Sequence, residues 1–230
     1  MKLLLWDIDG TLLYFGGIAG EAMRQAMTEV YGRPSGDDRR SYAGKTDQQI
    51  IIETFPDRDP NQLLAQLPQF AAIYMQVLEA RADELYQRGG VLAGAAEALA
   101  YMHKQPVVQA LLTGNLRPVA ELKLRLVGLT GFFDFDAGAY GSDHHRRNEL
   151  PAIAAARAQE RYRHRFHGAD LVVIGDTPND IACGRHAGAR TVAVASGPFS
   201  SAELQAHAPD ALLADLCDPQ AVARAILGRQ

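Results

Sequence analysis

The sequence predicts an α/β protein: a doubly wound parallel sheet, a Rossmann-like core, with a small α-helical cap domain inserted near its start. Three observations carry this. Short apolar runs at 3–6, 107–112, 171–174 and 191–195 alternate with stretches of helical periodicity. Leu171-Val172-Val173-Ile174 is apolar at every position, as a buried strand is. Polar clusters follow three of these runs directly, so that Asp7, Thr113 and Asp176 all fall at strand ends. Open parallel sheets bind their ligands beyond the carboxyl ends of their strands.

The elements can be justified in order. Leu3-Leu4-Leu5-Trp6 reads as a buried strand, with Trp6 in the core, that runs into Asp7-Ile8-Asp9-Gly10-Thr11. Ala22, Met23, Ala26, Met27 and Val30 then recur at three- and four-residue steps, the mark of a helix. Thr46-Asp47 caps a helix carrying Ile50, Ile51 and Phe55, and Asp59-Pro60 begins another. Pro68 should break or kink that helix, after which 70–86 continues in helical rhythm. Paired glycines, Gly16-Gly17 and Gly89-Gly90, flank this helical stretch and are candidate hinges. The division expected is a core of residues 1–14 and 90–230 and a cap of 15–89. Further on the pattern gives a helix at 95–104, a strand at 107–112 and a helix at 118–127. A short strand at 133–137 and a helix at 150–165 come next, then a strand at 171–174 and a helix at 181–187. A strand at 191–195, a helix at 201–207 and a last strand at 211–214 complete the reading.

Composition narrows the function. The chain has 230 residues, 47% hydrophobic and 22% charged, with a net charge of −4. That profile is globular and argues against disorder, and it gives no global field for nucleic acid or an acidic membrane. No apolar stretch approaches the roughly 20 residues needed to span a bilayer, and the N-terminus does not read as a secretory signal. The expectation is a cytoplasmic protein with neither nucleic acid nor membrane as partner, monomeric or homodimeric. Cys183 and Cys217 form no metal-ligand motif and are read as reduced. His144-His145 and the basic run at 161–167 could suggest a metal or an RNA site, but the first lacks a ligand set and the second reads as a solvated helix end.

The chemistry concentrates at the first strand end. Side chains two apart on an extended strand leave the same face, so Asp7 and Asp9 lie side by side where the strand is buried. Like charges there repel and burial favours protonation, so the pair predicts a bound divalent cation.

Taken together, Asp7-Ile8-Asp9-Gly10-Thr11, Leu111-Leu112-Thr113-Gly114-Asn115 and Gly175-Asp176-Thr177-Pro178-Asn179-Asp180 resemble the first, second and fourth motifs of the haloacid dehalogenase-like superfamily, in its phosphatase branch with a helical cap. The resemblance spans nearly the whole chain and places the cap where 15–89 lies. It implies that Asp7 is a nucleophile forming an aspartyl-phosphate and that Asp9 is the acid and then the base. It implies Mg²⁺ held by Asp7, the Asp9 backbone carbonyl and Asp176, with Asp180 at the metal shell or orienting a cation. Thr113 and N–H groups after Asp7 would bind the phosphoryl oxygens, with Thr11, Gly114 and Asn115 as substrate-binding residues. The family's third-motif lysine is missing, since no lysine follows Lys123. Arg147 is the better replacement by spacing, with Arg146 as the alternative. Ala93-Gly94 stands where the family often has Pro-Gly. Gly44-Lys45-Thr46-Asp47 resembles the cap loop lowered over substrate, with Lys45 as a substrate contact.

The resulting expectation is a Mg²⁺-dependent hydrolase of a small phosphorylated metabolite, with phosphoglycolate phosphatase-like activity the nearest family-level reading. A phosphosugar mutase on the same fold and a catalytically inactive metabolite-binding protein are the alternatives.

Overall fold

The computed structural model describes residues 1–36 and 38–228. The chain runs β1 (Lys2–Trp6), β2 (Leu13–Tyr14), α1 (Ile18–Tyr31), α2 (Arg39–Tyr42), α3 (Asp47–Thr54), α4 (Pro60–Leu64), α5 (Leu67–Ala80), α6 (Ala82–Arg88) and β3 (Gly90–Val91). It continues as α7 (Ala95–His103), β4 (Val107–Thr113), α8 (Arg117–Leu126), β5 (Ala139–Tyr140), α9 (Leu150–Tyr162), β6 (Leu171–Gly175) and α10 (Pro178–His186). The last elements are β7 (Arg190–Val194), α11 (Ser201–Ala206), β8 (Ala211–Leu213) and α12 (Pro219–Leu227).

Six strands pair in parallel in the order β5-β4-β1-β6-β7-β8. β1 is central, with Trp6 registered against Leu111 of β4 and Ile174 of β6. Its side chains alternate between two buried layers. Leu4 and Trp6 pack with Leu111, Val172 and Ile174, while Leu3 and Leu5 pack with Ala110, Leu112 and Val173 on the other face. Helices cover both faces, which is why the strand reads as unbroken apolar sequence. The order reverses at β1, so the crevice for a ligand opens beyond its carboxyl end.

The cap helices α1 to α6 fall between β2 and β3, which pair antiparallel. An aromatic ladder holds the cap together: Tyr31 lies 5.5 Å from Phe55 and 6.1 Å from Phe70, and Phe70 lies 5.7 Å from Tyr74. Among the described residues no helix is long and apolar enough to cross a membrane.

Several elements differ from the sequence reading. Residues 133–137 form no strand; two 3₁₀ turns, Thr130–Phe132 and Phe135–Ala137, precede the short β5. The Asp134 carboxylate accepts from the Asp136 N–H and so closes the second turn, and the Tyr140 hydroxyl donates to the Phe135 carbonyl at 2.6 Å. The 70–86 stretch is two helices, because Arg81 leaves helical backbone angles and its guanidinium is drawn to Glu84 and Glu21. The break expected at Pro68 is present: the helix begun at Pro60 ends at Leu64, and Pro68 sits in the first turn of the next, α5, where its missing N–H costs no bond. α9 stops at Tyr162 because Arg163 turns left-handed, with φ 52°. α12 went unanticipated, although Asp218-Pro219 caps it as Asp59-Pro60 caps α4.

Of the four flanking glycines, Gly89 is required by close approach. A Cβ there would overlap the Tyr14 carbonyl, because the two strands entering and leaving the cap run backbone against backbone. Gly89→Ala should therefore force the linkers apart and lower unfolding stability by about 2 kcal/mol, read as a lower urea midpoint.

Candidate active site

A cavity of about 400 Å³ lies between the sheet and the cap, large enough for a small ligand. Asp7, Asp9, Thr113, Asn115, Lys123 and Arg147 line its core side. β1 delivers the two aspartates, β4 ends in Thr113, and the segment before α9 brings Arg147.

Asp7 is buried, and its Oδ1 accepts from Arg147 Nη2 at 2.8 Å. The same nitrogen donates to Asp180 Oδ1 at 2.5 Å and to the Leu112 carbonyl at 3.1 Å. Arg147 is 5% exposed and enters the site, whereas Arg146 is exposed. Asp180 Oδ2 accepts from the Thr177 N–H at 3.0 Å and hydroxyl at 2.6 Å. Asp180 thus orients the Arg147 guanidinium, and it also belongs to the carboxylate cluster that could hold a metal.

Asp7, Asp176 and Asp180 each offer a carboxylate oxygen within 4.8 Å of the others. Burial pushes the Asp7 carboxyl up to about 7, against the opposing charge of Arg147 and with the repulsion of Asp180 and Asp9. Asp176 is raised well above the carboxylate range by burial first, then by Asp7 and Asp180. Its Oδ2 is buried without a hydrogen-bond partner among the described residues. An orphaned carboxylate oxygen among hard oxygen donors fits a small divalent cation such as Mg²⁺. Asp9 contributes no carboxylate to this cluster. Thr11, expected at the substrate, does not line the cavity: its buried hydroxyl donates to Asp176 Oδ1 at 3.0 Å and so orients that carboxylate instead.

Asp9 has its own cation, one that sequence reasoning missed. Lys123 Nζ donates to Asp9 Oδ1 at 2.9 Å and Oδ2 at 2.7 Å, and to Asn115 Oδ1 at 2.7 Å. Asn115 Nδ2 in turn donates to Asp9 Oδ2 at 2.6 Å and to Thr113 Oγ1 at 2.8 Å. The Thr113 oxygen also accepts the Asn115 N–H at 3.2 Å, which leaves its own O–H proton to donate. Burial works against the Lys123 ammonium, but Asp9, Tyr74 and Asp47 outweigh it and hold its pKa above the ordinary lysine range. One signal was present in the sequence: Lys123 occupies a buried-face position of α8, four residues after Val119 and three after Ala120.

The cap loop is docked on this rim. Thr46 caps α3 by accepting the Gln49 N–H, and its hydroxyl donates to the His145 carbonyl at 2.6 Å. The Asp47 N–H donates to the Gly114 carbonyl and its carboxylate accepts the Leu116 N–H, both at 2.8 Å. Gly114 lines the cavity, and a Cβ on it would overlap the Lys45 carbonyl. Lys45 itself lines the cavity and pairs with Glu53 at 2.7 Å. Arg24 of α1, a second basic cap residue that sequence reasoning missed, lines it too. His144 and His145 stack at 4.7 Å, and among the described residues neither belongs to a metal-capable cluster. Arg161 and Tyr162 both bind Asp134 at the end of α9, and the rest of the basic run is not simply a solvated helix end, since Phe166 is buried in the core with His164 against it. Cys183 is buried, Cys217 is exposed, and both are free.

Comparison with known proteins agrees with this geometry. The family model described as haloacid dehalogenase-like hydrolase matches residues 4–185. The pyrophosphatase PpaX of Halalkalibacterium halodurans is 23% identical over 219 residues, covering 95% of this chain and 94% of that one. The Dickeya dadantii protein named "Probable phosphatase IndB" is 25% identical over 235 residues, covering 98% and 94%. A hydrolase structure from Pseudomonas syringae superposes with a TM-score of 0.71 at 18% identity, over 96% of this chain and 97% of that one. The chain belongs to the haloacid dehalogenase-like hydrolase family, as an enzyme of its phosphatase type.

Proposed function

We propose that the protein is a Mg²⁺-dependent phosphomonoesterase that hydrolyses a small phosphorylated metabolite through an aspartyl-phosphate on Asp7. The observation that carries this is the pairing of two carboxylates in one cavity with separate cations, Asp7 with Arg147 and Asp9 with Lys123. Two carboxylates in different surroundings can take different roles, one as nucleophile and one as proton carrier. The names of the relatives, pyrophosphatase and phosphatase, favour hydrolysis over isomerisation of a sugar phosphate.

Arg147 holds Asp7 Oδ1, which leaves Oδ2 to attack phosphorus. As that P–O bond forms, the bond to the leaving oxygen breaks and Asp9 delivers a proton to it. Water then attacks the phosphorus, Asp9 takes its proton, and Asp7 is released. The Thr113 O–H donates to a phosphoryl oxygen, and the Arg147 guanidinium offsets its charge. Asp7, the Asp9 carbonyl and Asp176 would hold Mg²⁺, which would supply positive charge to keep the carboxylates ionised and to offset the charge of the phosphoryl group. The cap excludes water, and Arg24 and Lys45, lining the cavity beside Glu21 and Asp47, offer an anionic substrate two cations from the cap side.

The decisive experiment is phosphate release from a panel of phosphomonoesters, including phosphoglycolate, sugar phosphates and nucleotides, with Mg²⁺ and with chelator. Release that needs Mg²⁺ is expected; a folded, metal-loaded protein that releases none, or that returns an isomerised sugar phosphate, would refute the reading. Asp7→Asn should cut turnover on the order of a thousandfold or more with the fold retained, since Arg147 keeps its bond to Asp180. Circular dichroism and phosphate assay of the variant check both halves of that statement.

Metal and protons should also compete. Asp7 is raised from 3.8 to about 7 on folding, so without metal the stability it contributes is complete below 3.8 and is lost as pH rises through about 7. Mg²⁺ binds the ionised form, so it should raise the melting temperature more at about pH 8 than at about pH 5. Thermal melts with and without Mg²⁺ at the two pH values measure the difference.

A further inference from the structure

Lys123 has no assigned role in the reaction, yet it is 2% exposed and makes three hydrogen bonds within the site. A buried ammonium with free bonds would be costly, and each of its donors is matched here to an acceptor. Two acceptors belong to the Asp9 carboxylate. The third is the oxygen of Asn115, whose amide nitrogen returns to Asp9 and to Thr113. These bonds close a ring: Lys123 to Asp9, Asp9 to Asn115, Asn115 to Lys123. The Asp9 carboxylate, with 39% of its side chain exposed, is thereby fixed on its inner side while its open side faces the cavity.

The ring is backed from the cap. Tyr74 of α5 places its ring 5.8 Å from Lys123 Nζ, a cation–π distance. Tyr74 also closes the end of the aromatic ladder that holds the cap together. Asp47, on the docked cap loop, adds a buried negative charge felt by the same ammonium. Lys123 thus stands on a core helix with its head between the core carboxylate and two cap residues.

We infer that Lys123 is a positioning residue: it aims the Asp9 carboxylate at the leaving oxygen, and it is itself held in place by the cap through Tyr74. The inference rests on the reading of Asp9 as proton carrier. A poor leaving group needs that proton and a good one does not, so misplacing Asp9 should penalise substrates by the basicity of what departs. Lost packing alone has no such selectivity.

The test compares para-nitrophenyl phosphate with phenyl phosphate in wild type, Lys123→Met, Lys123→Arg and Asp9→Asn. Lys123→Met should lower kcat on phenyl phosphate by roughly tenfold or more and on para-nitrophenyl phosphate by less than about threefold, with KM little changed on both. In an Asp9→Asn background the same substitution should add nothing, because its effect passes through Asp9. Equal losses on the two esters would overturn the inference, as would a full additional loss in the Asp9→Asn background. If Asp9→Asn itself lacks the selectivity, the proton-carrier reading fails and the inference with it; a selective Asp9→Asn beside an unselective Lys123→Met sinks the inference alone. Should Lys123→Met not fold, Lys123→Arg decides on the same pair of esters. It keeps the charge but carries a broader, planar head that displaces the carboxylate, and the same selectivity is expected.

Discussion

Asp7, Asp176 and Asp180 bring three carboxyls into the interior within reach of one another, and a single guanidinium, Arg147, stands among them. Burial disfavours each charge, and one cation cannot match three anions. The deficit is visible in the protons that Asp7 and Asp176 would rather keep and in the bare oxygen of Asp176. Much of the local architecture serves this constraint. The sheet holds Asp7 and Asp176 just past neighbouring strand ends and the first turn of α10 holds Asp180, Thr11 and Thr177 tie down Asp176 and Asp180, and the segment before α9 inserts its arginine. A site built with unfilled positive demand is one that a divalent cation and the charge of a phosphoryl transfer can use.

Asp9 escapes that deficit because it looks the other way. The backbone carries it past the end of β1 into a tight turn, where the Leu13 N–H returns to the Ile8 carbonyl. From there its carboxylate meets Asn115 and Lys123 instead of the metal-capable cluster. Two aspartates two residues apart in sequence thus occupy different electrostatic environments, which is what a nucleophile and a proton carrier require of one scaffold.

The cap takes part in the same network. Its loop at 43–48 bonds to Gly114, Leu116, Ser142, His145 and Asn179 of the core, and its aromatic ladder ends over Lys123. The docked loop leaves Lys45 lining the cavity. The docked cap and the Asp9 carboxylate are therefore joined physically, through backbone bonds on one side and a buried ammonium on the other.

Most of the strands, the parallel doubly wound sheet, the inserted helices and the strand-end carboxylates were legible in the residues, because apolar period and turn chemistry are local properties. So was Arg147, which a spacing argument could reach. What lay beyond the sequence was contact between distant segments. Lys123 sits 114 positions from Asp9, and nothing near either residue names the other. Thr11 passed for a substrate residue until folding set its hydroxyl against Asp176, and 70–86 passed for one helix until Arg81 was drawn across to Glu21. Local pattern determined which elements form and which residues reach the rim. Only the tertiary structure decided which charge answers which, because the strength of a buried charge depends on what surrounds it and not on where it stands in the chain.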